Sequence, residues 1–179
     1  MYCGKNKIAC ATRRQTAEAF LVLLQEEPYT RISITQLCQA AGISRQTFYN
    51  LFQSKENVLI YTLEEDCCYS HPESQTDDEG MLADLADGFS HYIVSHAEVI
   101  RTLVENDMTH IIRSMLYDGF MENRCMADRF GKAYWDFAAS FTAGGLTGIA
   151  ESYVRNGCHM APEKLSRIIS ALLSGENFR

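Results

Sequence analysis

The chain has 179 residues, 46% of them hydrophobic, enough to bury one large core or two smaller ones, which sets aside the disordered and fibrous classes. Its formal net charge of -7 is unevenly laid out: residues 1–55 hold seven Lys or Arg against three acids, and the rest hold nine against twenty. A basic N-terminal third on an acidic body suits a polyanion-binding module joined to a part that does not touch the polyanion.

Seven cysteines, at 3, 10, 38, 67, 68, 125 and 158, show no paired spacing. No leader pattern or long apolar span is read, so the expected setting is the reduced cytoplasm, with no membrane as partner. Only 3 prolines and 11 glycines are present, and apolar residues return every three to four positions, which predicts an all-α protein.

The first helix is expected over about Thr12 to Glu26, with Ala17, Phe20, Leu21 and Leu24 as its buried stripe, and Pro28 beyond its end. Ser33 caps a second helix, and Gln36 three residues on completes a capping box. The stripe of that helix is Ile34, Leu37, Cys38 and Ala41. Gly42 then supplies the positive φ that a helix end favours, and Ser44 caps a third helix.

On the third helix Phe48, Leu51 and Phe52 fall within about 100° of arc and make its core face. Gln46, Tyr49, Asn50 and Gln53 take the opposite side, flanked by Arg45 and Thr47. A basic tri-helical unit that exposes such forked and flat hydrogen-bonding groups reads as a helix-turn-helix, its third helix made for the DNA major groove. A small helical packing unit with a solvated face is the plainer alternative.

Ser54 caps a fourth helix that links the two halves, running to about residue 68. The polar stretch "CCYSHPESQTDDEG", 67–80, is a connection, and helices are expected beyond it at about 80–95, 97–104, 107–122, 128–156 and 162–174. The predicted organisation is a helix-turn-helix DNA-binding domain over 1–53 and a helical effector-binding and dimerisation bundle over 54–179. A candidate ligand lining is the aromatic and soft set Phe89, Tyr92, His96, Met108, Met115, Tyr134, Trp135 and Phe141, with plain core as the alternative.

The segment "ISITQLCQAAGISRQTFYNLFQSKENVL", Ile32 to Leu59, resembles the DNA-binding domain of the TetR family of bacterial transcriptional regulators, through its "AAGIS" turn, "TFYNLF" core and "SKENVL" helix entry. "FTAGGLTGIAESYVRNGCHMAPEKLSRIISAL" is similar to the last two helices of the family, of a C-terminal type common in Firmicutes. The resemblance implies that Arg45 and Gln46 reach base edges, that Thr47, Tyr49 and Lys55 hold phosphates, and that Thr35 contacts either, with Asn50 on the same exposed face. Many relatives carry Gly or another small residue where Gln46 stands, so this chain should have its own operator preference.

One recognition helix reads few base pairs, so a homodimer on a palindromic double-stranded DNA operator is expected. Its interface is placed on the last two helices, where Gly144 and Gly148 allow close approach and Ile149, Val154, Ile168, Ile169 and Leu172 supply apolar area; a monomeric bundle would use the same residues internally. The functional expectation is a repressor released by a small-molecule effector, with the fourth helix as lever. A DNA-binding structural or adaptor protein without effector is the rival. A thiol or metal sensor built on Cys67, Cys68 and His71 is another, although no CxxC or HExxH spacing supports it. No metal, cofactor or enzymatic motif is read.

Overall fold

Nine α-helices and no strands occur among the residues that the computed structural model describes, 7–65, 78–122 and 131–175. The chain divides into two compact units, Met1–Cys67 and Cys68–Arg179.

The first unit holds α1 (Lys7–Glu26), α2 (Ile34–Ala40), α3 (Arg45–Leu51) and α4 (Lys55–Glu65). Helix α1 starts more than a turn before Thr12, because that threonine turns its hydroxyl back on the Ile8 carbonyl at 2.8 Å instead of capping a new helix. Its buried residues are Thr16, Ala17, Phe20 and Leu23, with the expected Leu21 and Leu24 only half-buried. The stripe is rotated because α1 packs against both α2 and α4. Phe20, Ile32, Leu37, Phe48, Phe52, Leu59 and Leu63 complete this core, each worth about 1.5–3 kcal/mol of transfer free energy. Helix α4, expected to begin the second half, lies in the first unit through its packing on α1.

The second unit holds α5 (Asp78–Ser95), α6 (Ala97–Glu105), α7 (His110–Glu122), α8 (Lys132–Arg155) and α9 (Pro162–Leu173). Helix α5 packs on α9, and α8 packs on both α6 and α7. Helix α7 begins later than 107 because α6 ends in a turn with Asp107 at φ 57°, where the Met108 N–H bonds back to the Leu103 carbonyl at 2.8 Å. Pro162 opens α9, where its missing N–H costs nothing. Along α8, Trp135, Ala139, Ala143, Leu146, Thr147, Ala150 and Tyr153 are buried at spacings of three and four, one stripe of a 24-residue helix.

Candidate nucleic-acid interface

The turn between α2 and α3 is set by local chemistry. Ser33 accepts the Gln36 N–H while the Gln36 side chain accepts the Ser33 N–H, so both ends of the capping box are made. At the other end of α2, Gly42 sits at φ 63°, the Ile43 N–H reaches the Cys38 carbonyl at 3.0 Å, and the Gly42 N–H reaches Gln39 at 3.2 Å. These two bonds satisfy the last carbonyls and reverse the chain. Ser44 then accepts the Thr47 N–H at 3.0 Å and opens α3.

Side chains from neighbouring helices pin the far ends. Arg13 of α1 donates to the Leu51 carbonyl at 3.4 Å, with its guanidinium against the rings of Phe52 and Tyr61. Asn57 of α4 donates to the Phe52 carbonyl at 2.5 Å, and Gln15 of α1 donates to the Ala41 carbonyl at 3.1 Å. The carbonyls left over where α2 and α3 stop are thus paired. Phe48 and Phe52 are fully buried beneath, their rings 5.9 Å apart, while Leu51 is half-buried.

With its back fixed, α3 presents Arg45, Gln46, Tyr49 and Asn50 to solvent. Thr35 is exposed on the first turn of α2. Thr47 is half-buried, its hydroxyl 2.9 Å from that of Ser44. Tyr49 stands edge-on to Phe48 with ring centroids 5.6 Å apart, which limits its rotamers while leaving it exposed. Of the basic residues in this unit, Arg13 turns inward and Arg14 pairs with Glu18 at 3.2 Å, so the charge offered outward is smaller than the count of residues suggests. Burial raises the Cys38 thiol pKa, and the charge of Arg45 partly opposes that rise.

Lys55 is placed differently from the exposed set. Its Nζ donates to the carbonyls of Tyr29 at 2.9 Å and Ile32 at 2.6 Å, and lies 4.2 Å from the centroid of the Tyr29 ring. Two of its three donors are thereby engaged. Beside it, the Tyr29 hydroxyl donates to the Glu56 carboxylate. Burial and that carboxylate push the tyrosine pKa far up, and burial lowers the lysine despite the pull of Glu56. For Glu56 itself, burial is outweighed by hydrogen bonds from Tyr29, its own backbone and Ser54, and its pKa falls below the ordinary value. Arg13, Gln15, Tyr29 and Glu56 carry no sequence signal for these roles, since their partners lie 26 to 38 positions away.

In the second unit the expected ligand lining splits. Tyr92 donates to the Met115 sulfur at 3.7 Å and stacks on His96 with centroids 4.4 Å apart; His96 Nδ1 lies 3.0 Å from Ser95 Oγ. Phe89 is fully buried on α5, and Met108 is half-buried at the end of α6. Trp135 is buried, with its indole N–H on the Phe120 carbonyl at 3.1 Å. Tyr134 and Phe141 are instead 76% and 78% exposed, and with Phe137, 76% exposed, they form a row on the outer face of α8. That row continues through Gly144 and Gly148, where an added Cβ would meet nothing within 4 Å. Of the expected interface residues, Ile168 and Leu172 are exposed and Ile149 and Val154 half-buried, while Ile169 is fully buried in the core of its own unit. Phe137, missed from sequence, was marked by its place three residues after Tyr134. Cys67, Cys68 and His71 lie outside the described residues.

A family model for bacterial regulatory proteins of the tetR family matches residues 18–62, and one for a transcriptional regulator C-terminal region matches 80–175, more than half of the chain. The dhaKLM operon transcriptional activator DhaS of Lactococcus lactis subsp. lactis is 42% identical over 60 residues, 34% of this chain and 32% of that protein. The transcriptional regulator EthR of Mycobacterium tuberculosis is 50% identical over 42 residues, 24% of this chain and 19% of that one. The matched segments thus span a third or less of these relatives. Solved structures share the fold over nearly the full length: the dihydroxyacetone kinase operon activator DhaS, with a TM-score of 0.61 at 22% identity, covers 92% of this chain and 95% of its own. The fatty acid degradation regulator FadR from Bacillus halodurans has a TM-score of 0.63 at 19% identity, over 97% and 96%. No helix among the described residues is long and apolar enough to cross a membrane. A capped helix-turn-helix with a polar outer face, the two family models and these neighbours together make the chain a member of the TetR family of DNA-binding transcriptional regulators, which are not enzymes.

Proposed function

We propose that the protein binds a palindromic DNA operator as a homodimer, and that a small-molecule effector held by the second unit releases it. The observation that carries this reading is the outer face of α3, where Arg45, Gln46, Tyr49 and Asn50 are all exposed on a helix held at both ends. Arg45 and Gln46 read base edges, Thr47 and Tyr49 bind phosphates, and Thr35 joins them from α2. Asn50 sits on the same face, one turn along from Gln46.

The homodimer is supported by the row of Tyr134, Phe137, Phe141, Gly144 and Gly148 on α8, with Ile168 and Leu172 exposed on α9. Three aromatic rings in water on one helix face amount to a patch that a soluble monomer seldom keeps open. A second copy meeting it about a two-fold axis would bury the rings and bring two α3 helices to one duplex. An effector acts if it and the operator prefer different arrangements of the DNA-binding units. The Tyr92, His96 and Met115 group, with its stacked rings and soft sulfur, is the part of the second unit suited to hold one.

Sedimentation of the protein with a duplex enriched by it from a random library tests this directly. Two protomers per duplex are expected, and a one-to-one complex would refute the dimer. Similarity to the activator DhaS favours a second reading in which the bound protein recruits transcription. Transcription in vitro from a promoter carrying the enriched site separates the two by its sign.

A further inference from the structure

We infer that two copies of the chain join through an antiparallel pairing of α8, with the Phe137 and Phe141 rings of each copy seated on the partner's Gly148 and the partner's Gly144. The inference deepens the homodimer proposed above and rests on it. Tyr134, Phe137, Phe141, Gly144, Gly148 and Glu151 follow one another at spacings of three and four and fall within about 100° of arc on α8. The stripe is bulky at one end and small towards the other. Tyr134, Phe137 and Phe141 are 76 to 78% exposed, whereas at Gly144 and Gly148 an added Cβ would meet nothing within 4 Å. Its positions also mirror one another about a point between Thr142 and Ala143, so a two-fold axis there pairs position 141 with 144, 137 with 148 and 134 with 151.

Each phenylalanine then fills the space that a missing side chain leaves on the other copy, and the two rows interdigitate at the density of a protein interior. A parallel pairing would set ring on ring at one end and leave glycine facing glycine at the other, so the antiparallel one alone fills both. Spacings of three and four are those of a seam between helices crossing at about 20°. The Tyr134 hydroxyl comes beside Glu151 of the partner subunit. That carboxylate accepts from Arg155 of its own helix at 3.1 Å and has lone pairs for a second donor. At about 200 Å² per aromatic side chain, the six rings of two copies hold roughly 900 Å² of exposed surface. With the backbone and small residues they cover, the total enters the range of about 1,200–2,000 Å² that a stable interface buries.

The test uses the full-length protein. Copies carrying Tyr134→Cys and copies carrying Glu151→Cys, both with Phe137 and Phe141 in place, are mixed and oxidised, and disulfides are located by peptide mass spectrometry. A disulfide between the two variants is expected, because the pairing sets positions 134 and 151 opposite each other. Two Tyr134→Cys copies are held about 25 Å apart at that position and should not join. Gly144→Phe, which sets ring against ring, is expected to raise the dimer dissociation constant about tenfold or more. Adding Phe141→Ala to it should return the constant to within about threefold of the unaltered chain, since the new ring then meets an emptied position. A dimer that yields no mixed disulfide, that joins Tyr134→Cys copies to one another, or that shows additive losses in the double variant would overturn the inference. An unaltered chain that sediments as a monomer would instead strike the homodimer reading itself.

Discussion

At the scale of single residues, the division of labour on α3 follows from what each side chain can do once the helix is fixed. Arg45 is exposed at the first helical position and carries a forked donor that matches a guanine edge, so Arg45→Ala should relax preference at one base pair, at a cost of about 1–3 kcal/mol. Tyr49→Phe should weaken all sequences alike, because a phosphate contact carries no sequence information. Competition binding against single-base operator variants distinguishes the two, and an Arg45→Ala protein with its preferences intact would remove that residue from base reading. Gly42 makes a different kind of contribution. Its φ of 63° suits glycine, and an added methyl would meet only the Gln15 amide at 3.9 Å, so the cost of Gly42→Ala is conformational, about 1–2 kcal/mol in urea unfolding. The caps Ser33, Gln36 and Ser44 and the reversal at Gly42 were all legible in the sequence, because each acts on partners within five residues. The carbonyl partners of Lys55 were not, because nothing in "QSKENVL" says that its ammonium will land on carbonyls 23 and 26 positions earlier.

At the scale of elements, the recognition helix is short, and a seven-residue helix has little stability of its own. What holds it is tertiary: two buried phenylalanines below and side chains from α1 and α4 on its final carbonyls. Asn57→Ala should therefore lower the stability of the first unit by about 1 kcal/mol while leaving every base preference unchanged, read by urea unfolding beside operator binding. The hydrogen bond from Tyr29 to Glu56 adds a pH dependence with a definite sign. A carboxylate whose pKa is lowered by folding contributes stability that is fully present above its unfolded value and is lost as pH falls through the folded one. Acid unfolding should accordingly be shallower in Glu56→Gln than in the unaltered protein, and identical acid limbs would show that Glu56 contributes nothing through ionisation. The element boundaries that the sequence misplaced share one physical cause. Thr12 inside α1 and Asp107 at the end of α6 are residue types that favour both caps and other local hydrogen-bonded turns, and only the surrounding backbone decides which is formed.

At the scale of the whole molecule, the helix that most resisted reading was α8. Its sequence is apolar around much of its circumference, so periodicity could say that two faces matter but not which is inside. The structure gives the small and mixed residues Ala139, Ala143, Leu146 and Ala150 to the core and leaves Tyr134, Phe137 and Phe141 in water. Two aromatics assigned from sequence to a ligand lining thus lie on the face here proposed for dimer contact. Phe137→Glu and Phe141→Glu should each raise the dimer dissociation constant about thirtyfold or more, as loss of a central aromatic anchor does, with the helix content of the chain unchanged. Operator affinity should fall with it. A homodimer reading a two-fold symmetric site is the claim on which the rest depends, and selection of bound duplexes from a random library by the full chain tests it most directly. The expected result is one enriched motif made of two inverted half-sites whose spacing sets them on one face of the duplex. Enrichment of a single unpaired half-site, or of none, would contradict it.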